Sequence, residues 1–511
     1  MDLSQLIETM QNREFYPHPT STEIRVIQTH CSIVFLTGNY AYKLKKAVDF
    51  GFLDYSTLEK RHHFLQQELV MNQPLAPDIY LSVLPISQVG DRLILDSQEN
   101  IVEYALKMAE FPQASLLINL FEAGELQEFH LRELGKIVAD FHCKTLTNEY
   151  IKSFGQIEVI KASIDDNYQA TQKYIGIAQT LEQYQATQQF TDNFVVKNQS
   201  IFEKRCLTDK IRECHGDLHL KNICYWQNKI QLFDRIEFNE PFRFVDVIYD
   251  IAFTVMDLDA RGRNDFSNIF LNTYLEQTGD WEGLQVLPFY LCRQAYVRAK
   301  VTSMLLDDPN IAESEKQAAL ETAKNYYQLA WQYTQSTQGK IILMSGLSGS
   351  GKSTVAKYLA PKINAIHLRS DAVRKHLAEI PLDQAGDDNL YCPEMSEKTY
   401  QKLLNLGILL AKQGFSVILD AKYDRTQWRS PIIEAAQQAQ IPLQIFYCHA
   451  PIETLQTRLQ ERRGDISDAT PDLLNSQQAS AEPFSEPEQP YVIPLNTQGE
   501  DWKVTLEAWL N

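Results

Sequence analysis

The chain is poor in the residues that staple, anchor or extend a protein. Only 8 of its 511 residues are cysteine. No two of them are spaced C-x-x-C, and none stands in a Cys/His cluster of zinc-site spacing. Neither a disulfide framework nor a structural zinc site is expected; scattered thiols in a reducing compartment are. Glycine and proline, 20 of each, are too few for a fibrous or linker-dominated chain. No apolar run approaches the roughly 20 residues that cross a bilayer. The opening MDLSQLIETMQNREF has acidic and polar residues where a signal peptide needs an unbroken apolar core. A cytoplasmic chain with no membrane partner is expected. Basic residues are short too: 48 Lys and Arg stand against 66 Asp and Glu, a net charge of −18. That balance argues against nucleic acid or an anionic membrane as the main partner, because both need cations to neutralise phosphates. It leaves room for a local basic pocket.

What is present is ordinary globular material, 44% hydrophobic and 22% charged. The length suggests about three units. Charge divides unevenly: residues 1–337 carry a net −14 and residues 338–511 a net −4. Between them YTQSTQGK, ending at Lys340, has no apolar period and reads as a linker or tight loop. IILMSG follows, an apolar run of strand length ending in Gly346. Two domains are expected, 1–337 and 338–511. Within the first, residues from about 22 to 105 alternate like strands, with Thr37-Gly38-Asn39 as a hairpin turn. The stretches 115–210 and 265–335 have helical spacing. A small β-rich lobe before a larger helical lobe is the coherent picture.

GLSGSGKST carries the strongest signal of the second domain. It matches G-x-x-x-x-G-K-[ST] in full. Gly346, Gly349 and Gly351 let backbone N–H groups turn around phosphates, with Ser350 and Thr354 in the same loop. Lys352 supplies a cation, and the Ser353 hydroxyl can ligate Mg²⁺. A strand precedes the loop and a helical pattern follows it, aiming a positive helix end at the anion. FSVILDA ends a second strand at Asp420, which either holds Mg²⁺ or caps the strand. In HLRSDAVRKHL, Asp371 is either an N-cap or the acceptor of a substrate proton, and Arg374 a contact for a substrate anion. TRLQERRGDISDAT places Arg458 and Arg462 four apart, with Arg463 adjacent. On a helix the first two share a face, either solvated or closing as a lid on a transferring phosphoryl group.

ECHGDLHLKNICYW is the strongest signal of the first domain. It reads H-G-D-x-H-x-x-N, with Asp217 able to orient an acceptor hydroxyl and Asn222 to offer an amide oxygen to Mg²⁺. IQLFDRIEF presents Asp234 at a strand end, a second Mg²⁺ ligand if a hairpin joins the two segments. His215 reads as a packed histidine that holds the loop. A zinc site at His215 and His219 lacks further ligands of suitable spacing. YAYKLKK puts Lys43 and Lys45 on one face of a strand, where one of them could grip phosphates or both could be exposed lysines. On the helix read in TLEKRHHFLQQELVMNQ, Glu68 is the candidate partner carboxylate, or an ordinary surface pair. VEYALKMAEF would be the strand and hinge that hold adenine.

These segments carry two resemblances. Residues 338–511, through the phosphate loop, SDAVRKHL, VILDAKYDRTQWR and RLQERRGDISDAT, resemble P-loop small-molecule kinases and AAA-type ATP-binding domains. Gluconate-kinase-like, zeta-toxin-like and polynucleotide-kinase-like proteins are the nearest group. Residues 1–337, through HGDLHLKN and FDRIEFNEPFRFVDVIYDIAF, resemble the aminoglycoside phosphotransferase superfamily. That resemblance implies a bilobal protein-kinase-like fold, followed here by a doubly wound parallel sheet. It implies Asp217 as catalytic base, Asn222 and Asp234 as Mg²⁺ ligands, and Asp246 and Asp250 as braces of the loop. No glycine-rich nucleotide loop precedes YAYKLKK, a departure from the drug-resistance enzymes. The implied activity is ATP- and Mg²⁺-dependent phosphate transfer to a small-molecule hydroxyl. One module serving as a nucleotide sensor, or the second acting on polynucleotide 5′-hydroxyls, are the alternatives. The acceptor and the oligomeric state stay open.

Overall fold

Alternation along β3 (Tyr40–Lys45) organises the first sheet. Tyr42 and Leu44 enter one core while Lys43 and Lys45 face the other side. In the computed structural model, which describes residues 3–309 and 311–510, β3 is part of a six-stranded sheet. Its strands are β1 (Arg25–Gln28), β2 (Ser32–Leu36), β3, β4 (Tyr80–Val89), β5 (Arg92–Leu95) and β6 (Ile101–Ala109). They lie in the order β1-β2-β3-β6-β4-β5, and every pairing is antiparallel. The Thr37–Asn39 turn joins β2 to β3 as expected, with Leu36 opposite Ala41. One sheet face packs Phe35, Tyr42 and Ala105 against Leu6 and Met10 of the helix Leu3–Gln11. The other receives the helix Leu58–Asn72 through Leu65, beside Tyr80 and Leu106. Thr57 caps that helix by accepting the Lys60 N–H at 3.3 Å. Beyond it, β7 (Ile211–Glu213) pairs with β10 (Phe244–Asp246), and β8 (Ile223–Trp226) with β9 (Lys229–Leu232), both antiparallel.

The second sheet is parallel. Its strands are β11 (Lys340–Ser345), β12 (Ala365–Arg369), β13 (Ser416–Asp420), β14 (Leu443–His449) and β15 (Val492–Asn496), in the order β12-β13-β11-β14-β15. Helices link successive strands, and the order reverses direction around β11, so right-handed crossovers put helices on both faces. The central strands are continuous apolar runs, as doubly covered strands must be: Ile341 to Met344 and Val417 to Leu419 are fully buried. The architecture is the mixed α/β arrangement expected, a small antiparallel sheet and later a doubly wound parallel one.

Packing divides the chain into two compact units. The first comprises Met1–Glu133, Lys144–Ser163 and Phe202–Asp257. The second comprises Leu134–Cys143, Ile164–Ile201 and Leu258–Asn511. Residue 337 thus lies inside the second unit, where the helix Asn264–Thr278 packs on β12. Asn268 and Asn272 of that helix donate to the Ala365 carbonyl at 3.0 and 2.9 Å, and Asn272 accepts the His367 N–H at 2.7 Å. Since β12 is an edge strand, these amides satisfy backbone groups that no neighbouring strand reaches. Among the described residues no helix is long and apolar enough to cross a membrane.

Candidate active sites

In the first unit Glu68 meets both lysines of β3. Lys43 Nζ donates to Glu68 Oε1 at 2.7 Å and Lys45 Nζ to Glu68 Oε2 at 2.8 Å. Glu68 is fully buried, so it is not a surface pair, and the lysine side chains are only 13% and 1% exposed. Lys43 also donates to Asp234 Oδ1 at 2.6 Å. Burial alone would push the Lys43 ammonium down, but Asp234 and Glu68 outweigh it and raise it. Burial likewise opposes ionisation of Glu68 and Asp234, and Lys43 overcomes it, holding both below the usual carboxylate range. Asp234 has a φ of 61°, a left-handed conformation that aspartate tolerates, and its N–H donates to the Tyr80 hydroxyl at 3.0 Å.

The HGDLHLKN segment is a loop between β7 and β8. Gly216 has a φ of 86°, and a Cβ there would lie 2.7 Å from the Phe242 carbonyl oxygen, so only glycine fits. Asp250 accepts the N–H groups of His215 and Gly216 at 3.1 and 2.7 Å. Asp246 binds Arg205, also through Nη2 at 2.7 Å. Both aspartates brace the chain. His215 is fully buried, and burial lowers its pKa. Its Nδ1 accepts the Asp217 N–H at 3.3 Å, which leaves Nε2 to donate to the Phe233 carbonyl at 3.0 Å. A neutral imidazole thus ties Asp217 to the residue before Asp234. Asn222 Nδ2 donates to Asp217 Oδ2 at 3.0 Å. The β8–β9 hairpin brings these segments together, the Phe233 N–H donating to the Asn222 carbonyl at 3.1 Å: Asn222 and Asp234 offer an amide and a carboxylate oxygen, hard donors suited to Mg²⁺, with the Asp217 carboxylate beside Asn222.

The second unit contains a cleft of about 1850 Å³ around the phosphate loop. Gly346 has a φ of 137°, and a Cβ there would sit 2.2 Å from the Cys448 carbonyl oxygen, so the backbone passes β14 as closely as it can. Gly349, Gly351, Lys352, Ser353 and Thr354 line the cleft, while Ser350 is buried with its hydroxyl unpartnered. Lys352 Nζ donates to the Leu347 carbonyl at 2.8 Å, and burial lowers its pKa. The helix Lys352–Lys362 starts at the loop's end, as a phosphate cradle requires.

Asp420 ends β13 and faces His367, which lies 2.9 Å from Asp420 Oδ2. Burial opposes ionisation of Asp420, but His367 and nearby cations hold it down at about 2. Asp371 is the second residue of the helix Ser370–Leu377, whose N-cap is Arg369; Asp371 is therefore not the cap. Burial raises its carboxyl pKa against the pull of Arg369 and Arg374. Arg458 reaches the loop, with Nη1 3.4 Å from the Gly349 carbonyl and 3.3 Å from the Thr497 hydroxyl. The helical face expected for Arg458 and Arg462 is interrupted. The helix ends at Glu461, and Arg462 turns to an extended φ/ψ of −57°, 128°. Arg462 still lines the cleft, with a buried Nη1 that has no partner. Arg374 Nε and Asp424 Oδ1, also in the cleft wall, are likewise buried and unpartnered. A glycine cradle and unpaired donors around Lys352 fit a nucleotide phosphate, and Ser353 and Asp420 offer oxygens of the kind Mg²⁺ takes.

Residues 341–484 match the family model of an AAA domain. Over nearly the whole chain, uncharacterized proteins of Mycobacterium tuberculosis and Mycobacterium bovis are similar. Each is 28% identical over 462 residues, covering 89% of this chain and 90% of its own. An adenylyl-sulfate kinase of Myxococcus xanthus is 27% identical over 164 residues, 30% of this chain and 80% of that protein. Among solved structures, a choline/ethanolamine kinase family protein from Mesorhizobium loti is similar over 64% of this chain and 98% of its own. That match has 9% identity and a TM-score of 0.37.

Within the AAA-domain match, several residues escape sequence reading. Arg369 donates to Asp465 Oδ1 at 2.6 Å and lies 3.6 Å from Glu276 Oε1. Its signal was a charge ending the apolar run AIHLR. Asp424 stands four residues past Asp420 in DAKYDR. Trp428 stacks on Tyr400 with ring centroids 4.3 Å apart, at the cleft wall. In the first unit Glu237, three residues past Asp234, binds Lys45 and Tyr55. Its signal was a carboxylate in FDRIEF.

Proposed function

We propose that this protein is an ATP-dependent phosphotransferase with two nucleotide-handling modules, each passing phosphate to a hydroxyl of a small molecule. The observation that carries the reading is the occurrence in one chain of two clusters of residues suited to holding phosphate. In one, Lys43 is held between Glu68 and Asp234 while Asp217 and Asn222 stand joined nearby. In the other, a glycine cradle surrounds Lys352 and Ser353. The two modules are assigned to residues 1–337 and 338–511. The similarity to an adenylyl-sulfate kinase supports the reading for the second.

In the first module Asp217 orients the acceptor hydroxyl and takes its proton as the oxygen attacks the terminal phosphorus of ATP. The bond to ADP breaks, and a phosphate ester and ADP result. Asn222 and Asp234 are the residues to hold Mg²⁺, which neutralises phosphate charge when bound. In the second module Asp371 takes the acceptor proton, its raised pKa making it a stronger base than a free carboxylate. Arg374 binds an anionic part of the acceptor. Arg458 and Arg462 neutralise charge around the phosphates, and Ser353 and Asp420 hold Mg²⁺. Positioning and charge complementarity do most of this chemistry.

The test is a metabolite panel with labelled ATP and the whole protein. Asp217→Asn and Lys352→Ala should each remove a separable set of labelled products. If neither changes any product, the reading fails. ATP bound at both sites with transfer from only one would favour the sensor arrangement instead.

A further inference from the structure

Lys43 and Lys45 look equivalent in the sequence, and their surroundings are not. An ammonium group has three N–H donors. Those of Lys45 face three acceptors: Glu68 Oε2 at 2.8 Å, Glu237 Oε1 at 2.5 Å and the Tyr55 hydroxyl at 3.2 Å. The Tyr55 hydroxyl donates in turn to Glu237 Oε1 at 2.7 Å. Lys45, Glu68, Glu237 and Tyr55 are all buried. The Lys45 donors are therefore fully used within the protein. Lys43 has two acceptors, Glu68 Oε1 and Asp234 Oδ1, and keeps one N–H.

We propose that Lys45 is a positioning residue and not a phosphate ligand: it is a strut joining Glu68 to Glu237. This rests on the kinase reading of the first site. The strut fixes which oxygen of Glu68 is turned to Lys43. It also anchors the segment three residues past Asp234 to the helix that carries Glu68. Without it, Lys43 alone would face three carboxylates, the buried Glu68 and Glu237 and the half-exposed Asp234. Its ammonium would be drawn toward Glu68, and its remaining donor would leave the phosphates. The Glu237 carbonyl, held by Arg243 Nη1 at 3.2 Å, gives the strut a fixed far end.

The experiment uses the full chain with Lys352→Ala, which removes the second site's phosphate cation. ATP binding is measured by calorimetry and ATP hydrolysis by phosphate release. Binding of ATP by this parent belongs to the kinase reading and is scored first; a parent that binds none removes that reading and the strut's role with it. Lys45→Met leaves buried Glu237 with the Tyr55 hydroxyl but without its cation and can unfold the chain, so Lys45→Met with Glu237→Gln is made alongside. The strut predicts that the double variant binds ATP within threefold of the parent while hydrolysis falls at least tenfold. Lys43→Met should lose at least tenfold in affinity. A double variant that loses affinity as Lys43→Met does makes Lys45 a phosphate ligand and overturns the proposal. Unchanged hydrolysis overturns it equally.

Discussion

Two asparagines one turn apart on the helix Asn264–Thr278 should differ sharply in what they contribute. Asn272 accepts the His367 N–H at 2.7 Å and donates to Asn268 Oδ1 at 2.9 Å. Both partners are buried, His367 at 7% and Asn268 at 1% exposure. Asn272→Ala therefore orphans two buried polar groups. At about 1–3 kcal/mol each, the cost should be about 2–6 kcal/mol. Asn268→Ala orphans none, because the Ala365 carbonyl keeps Asn272 Nδ2 at 2.9 Å and Asn364 is exposed. Lost net hydrogen bonds put its cost at about 1–2 kcal/mol. Both changes replace Asn by Ala in one helix, so the gain in propensity cancels. Urea unfolding followed by the fluorescence of Trp281 and Trp502 in the second unit reads the two costs. Hydrogen exchange at the His367 amide should quicken only in Asn272→Ala. Equal costs, or a larger cost for Asn268→Ala, would refute the claim that this helix seals the edge of the parallel sheet.

Two other outcomes follow from buried charge. Arg429 is fully buried and holds Glu488 with two bonds, at 2.6 and 3.1 Å, so Arg429→Met should cost about 3–5 kcal/mol in urea unfolding. Adding Glu488→Met should recover most of that loss; no recovery would mean that Arg429 acts through its bonds to the Tyr423 and Pro483 carbonyls instead. Asp371 has a raised pKa, so its ionised form is disfavoured in the folded state and its contribution is lost as pH rises through the folded value. Asp371→Asn should then stabilise the protein at neutral pH, with a gain that shrinks as pH falls toward 3.8, while abolishing phosphate transfer at the second site. A loss of stability at pH 7 would reverse the sign assigned to that carboxyl.

What the sequence made legible was contiguous. The phosphate loop, the Thr37–Asn39 turn, the helix after Thr57 and the HGDLHLKN loop each depend on residues a few positions apart, where period and backbone preference act directly. Asp217, Asn222 and Asp234 could be brought together on paper because one short hairpin links them. The strut from Lys45 to Glu237 spans nearly the whole first unit, and no local pattern reports it. Spacing alone made Lys43 and Lys45 twins; the number of acceptors around each separates them. Arg462 shows the opposite failure. Its spacing from Arg458 is helical, but the helix stops at Glu461, so position four apart no longer means same face.

The join near residue 337 shows why composition and packing need not divide a chain alike. Charge and polarity change at a linker because the two sides are different kinds of surface. Packing follows unsatisfied groups. A doubly wound sheet with β12 at its edge leaves backbone N–H and C=O groups that must be covered, and the nearest cover here comes from before the linker. The same helix reaches the cleft: Glu276 lies 3.6 Å from Arg369, and Arg369 holds Asp465 in the segment just past Arg462 and Arg463. A fragment that begins at residue 338 would keep every residue of the phosphate loop and lose the cover of β12 together with one partner of Arg369. Cutting where the charge changes would therefore test the linker and not the module, and a silent fragment would say nothing against the phosphate site.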